Sequence, residues 1–399
     1  MKKQNLRMLC VLLAAMLLLS GCTFRFDAFD RSETEQVEAD TAAQEDYHEK
    51  LDEIVALLNE VYVDGYDTDK LGDYLAQAAV AATGDRWSYY VSAEDYDAFV
   101  ESNENAYVGI GVTVESSDDL TDGVQITKVT PNSPAEEVGI EADDRIYAVE
   151  GETVESLGLD ETKNRIRGEE GTEVTLTILR GEKKFDVTVK RASVEVEVVK
   201  YSMLDGSIGY IKINNFEANS ADRTIEAIDA LRGQGAKALV FDLRFNPGGR
   251  KDELVRVLDD LLPEGPLFRS VDYKGNESVD YSDADCVELP MAVLVNGDSY
   301  SAAEFFAAAL QEYDWATVVG TKTCGKANYQ QTFRLSDGSA VAVSTGHYQT
   351  PHGVTLANVG VTPDEIVEVD NKTYLELYKE AVAVKDDAQL QAAIKAVTD

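Results

Sequence analysis

Histidine is nearly absent from this chain, with 3 among 399 residues. His48, His347 and His352 leave a serine–histidine–aspartate relay few candidates, and the latter two read as packing or surface residues. Cysteine is also scarce, at 4. No Cys/His cluster has the spacing of metal ligands, so neither a metal site nor a cofactor is expected. Positive charge is in deficit: 36 Lys and Arg stand against 74 Asp and Glu, a formal net charge of −38. Such a surface repels nucleic acid and anionic headgroups, and no nucleic-acid partner is expected. The plainer meaning of the acidity is that it keeps the protein soluble, or reflects the habit of its source organism. The apolar run Met8–Leu19 falls short of the roughly 20 residues a membrane span needs, and there is no obvious internal repeat.

That short run has a different use. Lys2, Lys3 and Arg7 precede it, and Leu19-Ser20-Gly21-Cys22 follows, which resembles a bacterial lipobox. Residues 1–21 are therefore expected to be a lipoprotein signal, with Cys22 as the lipidated first residue. This places the protein on the outer face of a bacterial cell membrane, held by its lipid anchor. An ordinary signal peptide or an uncleaved anchor is the alternative. Cleavage would remove three positive charges and take the formal charge from −38 to −41. Cys10 leaves with the signal, and Cys286 and Cys324 remain; both a disulfide and two free thiols stay open.

The length exceeds one typical domain, and 44% hydrophobic residues support packed cores. Residues 22–44 read as an acidic tether. Residues 45–105 read as a helical region, with Leu51, Ile54, Val55, Leu58 and Val61 at helical spacing, then Leu71, Leu75, Ala78, Ala79 and Ala82. Residues 106–192 are β-rich: Gly109-Ile110-Gly111-Val112, Val124–Val129, Arg145–Val149 and a hairpin around Gly181. This order resembles a PDZ domain, in which an extended C-terminal peptide is added as a strand and amides near Gly109, Ile110 and Gly111 hold its carboxylate. A small β-barrel spacer is the alternative. Arg167, on the helix before Gly168, reads as a surface ion-pair partner, with closure of the module onto the core as its other reading. Residues 193–370 alternate strand and helix, which predicts a layered α/β core. Residues 371–399 supply C-terminal helices, Tyr374–Val384 and Gln389–Val397. The fold expected is thus multidomain, with a PDZ-like module inserted between an N-terminal helical segment and an α/β core.

Within that core, the segment Leu294–Glu304 runs from an apolar strand through a polar turn into a helix, placing Ser301 at the junction. Lys326 follows 25 residues later, on the loop after the next strand. A neutral lysine amine can take the proton from an attacking hydroxyl. The ordinary alternative is that Ser301-x-x-Glu304 is only a capping box.

Further segments point to one family. Asn296–Glu304, Gly320-x-x-Thr323-Cys324-Gly325-Lys326-x-x-x-Gln330, Phe241–Gly249, Tyr348-x-Thr350-Pro351-x-Gly353 and Gly360–Asp364 resemble, in order and spacing, the motifs of the carboxyl-terminal processing peptidases. The resemblance implies a serine endopeptidase acting on proteins or peptides with free C-terminal tails. It implies Ser301 as nucleophile, Lys326 as base, and an oxyanion hole from the Ala302 amide with Gly248 or Gly249. Gln330 would orient the lysine amine without restoring its charge, and Glu304, Glu312 and Thr323 match supporting positions. A homodimer is compatible with the resemblance. Asp242 and Arg244 are read as a structural ion pair rather than as catalytic groups. The chain departs from the family pattern at Tyr300, Ala303, Cys324 and Ala327, at Arg86 in the place of a proline, and at Asp143, where a glycine is usual. Two other readings remain: a PDZ-bearing binding protein or chaperone without hydrolysis, and a ligand-binding module on the same core.

Overall fold

The computed structural model describes residues 37–115 and 119–398. Cys22 and the signal segment lie outside these residues. The first helices are Val37–Val61 (α1) and Thr68–Ala81 (α2). Helix α1 starts inside the segment read as a tether, where alanines among the acids favour helix. Residues up to Gly72 and those from Asp73 onward form two units. The PDZ-like module and the α/β core belong to the second.

Tyr89–Val91 (β1) and Tyr96–Asn103 (α3) lead into the β-rich module. Ala106–Gly109 (β2) opens it, followed by Val112–Val114 (β3), Val124–Val129 (β4), Arg145–Val149 (β5), Glu152–Thr153 (β6), Glu173–Arg180 (β7) and Lys183–Lys190 (β8). Ala192–Glu195 (β9) closes it by pairing antiparallel with β2, so entry and exit lie side by side. The sheet order is β3-β4-β5-β7-β8. β7 shows the period of two: Val174, Leu176 and Ile178 are fully buried, while Thr175 and Thr177 face outward. Three helices complete the module, Pro134–Glu137 (α4), Val154–Leu157 (α5) and Leu159–Ile166 (α6). At the departure noted above, Asp143 takes φ 72°, the left-handed backbone a glycine would adopt freely. The next residue, Asp144, is buried and held by Arg180 at 2.6 and 2.7 Å.

The α/β core follows. Its strands are Val199–Leu204 (β10), Ile208–Ile213 (β11), Ala238–Asp242 (β12), Gly265–Asp272 (β13), Glu277–Ser282 (β14), Met291–Val295 (β15), Ala316–Gly320 (β16), Asn328–Arg334 (β17), Ala340–Gln349 (β18) and Glu365–Ile366 (β19). Its helices are Ser220–Gly233 (α7), Lys251–Leu261 (α8), Ala302–Glu312 (α9), Asn371–Tyr378 (α10) and Ala388–Ala396 (α11). The central sheet has the order β10-β11-β12-β15-β16-β19, parallel from β11 onward. Every residue of β12 and β15 is buried, as expected for parallel strands covered on both faces. Helices α7, α8 and α9 pack on one face, and α11 on the other. A second, antiparallel sheet joins β1, β18, β13 and β14, with β17 also paired to β18.

The helix expected over Tyr374–Val384 stops at Tyr378. Glu380 takes φ 54°, and the Ala381 N–H closes back on the Glu376 carbonyl. The Glu380 carboxylate is drawn to Lys200 and Lys212 at 2.6 and 2.7 Å, so the chain turns there rather than continuing.

Candidate active site

Three turns leave the same end of three neighbouring parallel strands: Leu243–Gly249 after β12, Asn296–Ser301 after β15, and Thr321–Lys326 after β16. In α/β sheets the crevice beyond the strand ends is where chemistry is placed. Buried side chains lace the turns together. Ser299 Oγ donates to the Leu243 carbonyl at 2.7 Å, and Asn296 Oδ1 accepts from the Phe245 N–H at 3.0 Å. Asn246 accepts from the Tyr300 N–H through its carbonyl and ties itself to β11 through Ile213.

Ser301 stands at the tip, 6% exposed, with φ 57° and ψ −125°. A serine held there is under strain, and α9 fixes it because that helix is buried almost all round, by Ala302, Ala303, Phe305, Phe306 and Leu310 among others. A methyl group at Gly248 would lie 2.7 Å from Ser301 Cβ and 2.8 Å from the Ala302 nitrogen, so only glycine permits this approach. Among the described residues the Ala302 and Gly249 N–H groups make no hydrogen bond. Gly248 gives its N–H to Asn246 Oδ1 at 2.8 Å, and Gly249 lies against Phe216.

Glu304 joins the Ser301 turn and the lysine loop. It is fully buried. One oxygen accepts from Thr323 Oγ1 (2.5 Å) and the Gly325 N–H (2.6 Å). The other accepts from the Ser301 N–H (3.0 Å) and the Lys326 N–H (2.8 Å). Burial pushes its pKa up, against the pull of these donors. Thr323 Oγ1 also accepts from the Val361 N–H at 2.7 Å, bringing in the Gly360–Asp364 motif. Glu312, at the far end of α9, accepts from Thr350 Oγ1 (2.6 Å) and the His352 N–H (2.9 Å), fixing the Tyr348–Gly353 turn.

The Lys326 side chain is half-buried, and burial lowers its pKa; Asp85, Cys324, Glu217 and Glu304 pull the other way. Among the described residues its amine has no hydrogen bond and no ion pair. It lies over the rings of Trp87 and Tyr300, 5.0 and 5.8 Å from their centroids. Gln330 is on β17 and gives its amide to Ser344 Oγ (2.9 Å) and the Asn328 carbonyl (3.2 Å). Among the described residues it makes no hydrogen bond to Lys326.

Elsewhere, Gly109, Ile110 and Gly111 line a groove of about 340 Å³ between β3 and α6, with Val112, Val114 and Ile166 as apolar walls. Arg167 at its end is paired with Glu101 on α3 at 3.3 Å and lies over the Tyr107 ring. Asp242 and Arg244 form a buried ion pair at 2.6 Å, and Arg244 also holds Asp387 beside α11 at 2.9 Å. Cys286 and Cys324 are free thiols. Among the described residues no group of three or more His, Cys, Asp or Glu is placed to hold a metal ion.

The model of Peptidase family S41 matches residues 207–367, and that of the PDZ domain matches residues 99–179. A Staphylococcus epidermidis protein named "Probable CtpA-like serine protease" is 31% identical over 340 residues, covering 82% of this chain and 68% of its own length. The chain belongs to peptidase family S41. Its counterpart of the same name in Staphylococcus aureus is 33% identical over 332 residues, covering 82% of this chain. The chain spans 66% of that relative's length. Among solved structures, a Bacteroides fragilis protein assigned to the S41 proteases shares the fold, with TM-score 0.50, 20% identity, and coverage of 85% and 94% of the two chains. The photosystem II D1 C-terminal processing protease matches with TM-score 0.46 and 26% identity over 78% and 85% of the chains.

Against the S41 pattern, three departures meet around the lysine. Arg86 Nη2 approaches Cys324 Sγ at 3.2 Å, its guanidinium lies over Trp87 at 4.1 Å, and Trp87 stacks on Tyr300 at 5.9 Å. Trp87, Asp85, Asn246 and Glu217 also border this site, although none is among the site residues expected from the sequence. Glu217 borders the cleft beside Gly249, and burial raises its pKa to about 7. No local pattern marks it.

Proposed function

We propose that the chain is a serine endopeptidase that cuts exported proteins near flexible C-terminal tails, with Ser301 as nucleophile and Lys326 as base. One observation carries this reading. A strained serine, a glycine that only close approach requires, and a half-buried lysine of lowered pKa meet at the ends of adjacent strands under one buried carboxylate. Ser301 Oγ attacks the scissile carbonyl carbon while its proton passes to Lys326 Nζ. The same proton then leaves with the departing amine, and water repeats the cycle on the acyl-serine. The Ala302 N–H faces the developing oxyanion. A second donor comes from Gly249, or from Gly248 once it releases Asn246. Lys326 must swing from the aromatic pair towards Ser301 for the first transfer; such bonds often tighten only with substrate bound.

The groove between β3 and α6 supports tail binding, because the outer edge of β3 is open to an added strand. Cys22 remains the proposed lipid anchor, on the strength of Leu19-Ser20-Gly21-Cys22 alone.

The test is turnover of an unfolded tail peptide. Ser301→Ala and Lys326→Ala should each abolish cleavage, and Lys326→Arg should fail as well, since guanidinium stays charged. Labelling of Ser301 by an active-site serine reagent separates an enzyme from a binding protein. Wild-type turnover in Lys326→Ala would remove the lysine from its role. Equal turnover of free and amidated peptides would leave the PDZ domain as a spacer.

A further inference from the structure

The position of the Lys326 amine calls for a partner that the catalytic reading does not supply. Its charged and titratable neighbours come from several elements: Asp85 from the turn before β1, Glu217 from the turn after β11, Glu304 from α9, and Cys324 from its own loop. None of the carboxylates lies within ion-pair distance of the amine. Asp85 is occupied by Ser88 Oγ (2.7 Å) and the Trp87 N–H (3.1 Å), and Glu304 by its four donors. Arg86, the nearby cation, is on the Trp87 ring and Cys324. What meets the amine is a pair of aromatic faces, Trp87 at 5.0 Å and Tyr300 at 5.8 Å, stacked on each other with 30° between their planes. Aromatic faces are negative, and within about 6 Å of a ring centroid they attract an ammonium.

We infer that Trp87 and Tyr300 are positioning residues for Lys326. Their rings hold the amine whenever it is protonated, and Tyr300, next to Ser301, sets the pH at which the lysine becomes a base. This rests on the reading of Lys326 as the base. The two opposed requirements of a lysine base are then met by different parts of the site. Burial favours the neutral amine that accepts the serine proton, and the rings accommodate the ammonium once that proton has arrived. Neither step needs another reactant, because the proton moves from Ser301 to Lys326 and on to the leaving amine.

The sign of the effect separates this role from simple exclusion of water. A π face stabilises the cation, so replacing it with an aliphatic side chain that keeps the site dry should lower the lysine pKa. The full chain is labelled with ¹³Cε-lysine, and the Lys326 resonance is assigned by its loss in Lys326→Ala. Its titration is followed in the wild type, Tyr300→Phe, Tyr300→Leu and Trp87→Leu, alongside the pH dependence of kcat/KM. Tyr300→Phe should titrate like the wild type. Tyr300→Leu should titrate about 0.5–1 pH unit lower, with the acid limb of kcat/KM displaced equally. Trifluorophenylalanine at position 300 keeps the ring's shape while draining its negative face. It should reproduce the leucine shift, and so covers the case in which leucine disturbs folding. Identical titration of the phenylalanine, leucine and trifluorophenylalanine forms would overturn the inference, leaving the rings as water-excluding walls. Failure of the base itself would show differently, as retained turnover in Lys326→Ala, whatever the titrations give.

Discussion

Replacing Glu304 by glutamine is the sharpest test of how this site is held. The side chain keeps its size, yet each carboxylate oxygen accepts two donors: Thr323 Oγ1 and the Gly325 N–H on one, the Ser301 and Lys326 N–H groups on the other. An amide has one acceptor end. Turned one way, its NH₂ group faces two backbone N–H donors; turned the other, it faces the Gly325 N–H and Thr323 Oγ1, which can accept instead of donating. One or two unsatisfied buried donors at about 1–3 kcal/mol each give a gross loss of about 1–6 kcal/mol.

Removal of the buried charge offsets part of this, since burial raises the Glu304 pKa and so penalises the ionised form. The net loss should still be about 1 kcal/mol or more, because three of the four donors are backbone groups fixed by the β15–α9 and β16 turns and cannot turn away. Urea unfolding would show it as a lowered midpoint at unchanged slope. Amide exchange should accelerate first at Gly325 and Lys326. Turnover should fall at least about 100-fold as the lysine loop shifts relative to Ser301. A Glu304→Gln protein with wild-type midpoint and turnover would refute the view that this carboxylate joins the two halves of the site.

Gly248→Ala should reduce acylation of Ser301 at least about 100-fold, since its methyl would sit 2.7 Å from Ser301 Cβ at φ 88°; wild-type burst kinetics would remove Gly248 from the site. Glu217, with its pKa raised from 4.5 to about 7 by burial, ionises less readily folded than unfolded, so its contribution to stability falls as pH rises through that window and stays unfavourable above it. Glu217→Gln should therefore gain on the wild type between pH 5 and pH 8, by on the order of 2 kcal/mol, and parallel pH–stability curves would contradict this. Arg244→Met leaves Asp242 and Asp387 buried without their cation, and should cost about 3–5 kcal/mol in thermal or chemical unfolding; a neutral outcome would mean the pair contributes little to docking the C-terminal segment.

The parts of the fold legible in the sequence are those whose pattern is local. Ala238–Asp242 and Met291–Val295 read as buried strands because every residue but the last of β12 is apolar, and both are buried. Ser301, Gly248 and Lys326 could be placed because each follows such a strand. The second sheet was legible only in part of β18. β14 and β17 carry Glu277, Ser278, Asp280, Asn328, Gln330, Gln331 and Arg334, with much of β17 exposed, so no single face is marked as buried. Their partners, not their composition, make them strands. The same limit hid Trp87 and Asp85, which reach Lys326 from 239 and 241 positions away along the chain, and Glu217, which meets the site only because Phe216 pairs across to Gly248 and Arg250. Gln330, placed near the lysine by the resemblance, lies on strand β17, where its amide is given to Ser344 Oγ.

Cap and nucleophile are two readings of Ser301, and its backbone bears on which of them the proposed function requires. A serine that merely begins a helix takes extended backbone angles and spends its hydroxyl on the amides of the first turn. Ser133 and Thr153 do this, at ψ 160° and 144°, each accepting from an amide three residues on. Ser301 forms a capping box with Glu304, whose carboxylate accepts from the Ser301 N–H at 3.0 Å, but its backbone lies at φ 57° and ψ −125°. An L-residue held there is strained by on the order of 1–3 kcal/mol, and such strain persists only where the surroundings impose it. Here they are a helix with its first turns buried, a glycine pressed against the serine, and a carboxylate whose other hydrogen bonds go to the lysine loop. A helix cap has no need of that conformation. The proposed nucleophile does need it, because the strained turn keeps Ser301 at the tip beside an unbonded Ala302 N–H, where an acyl carbon and its oxyanion would have to sit.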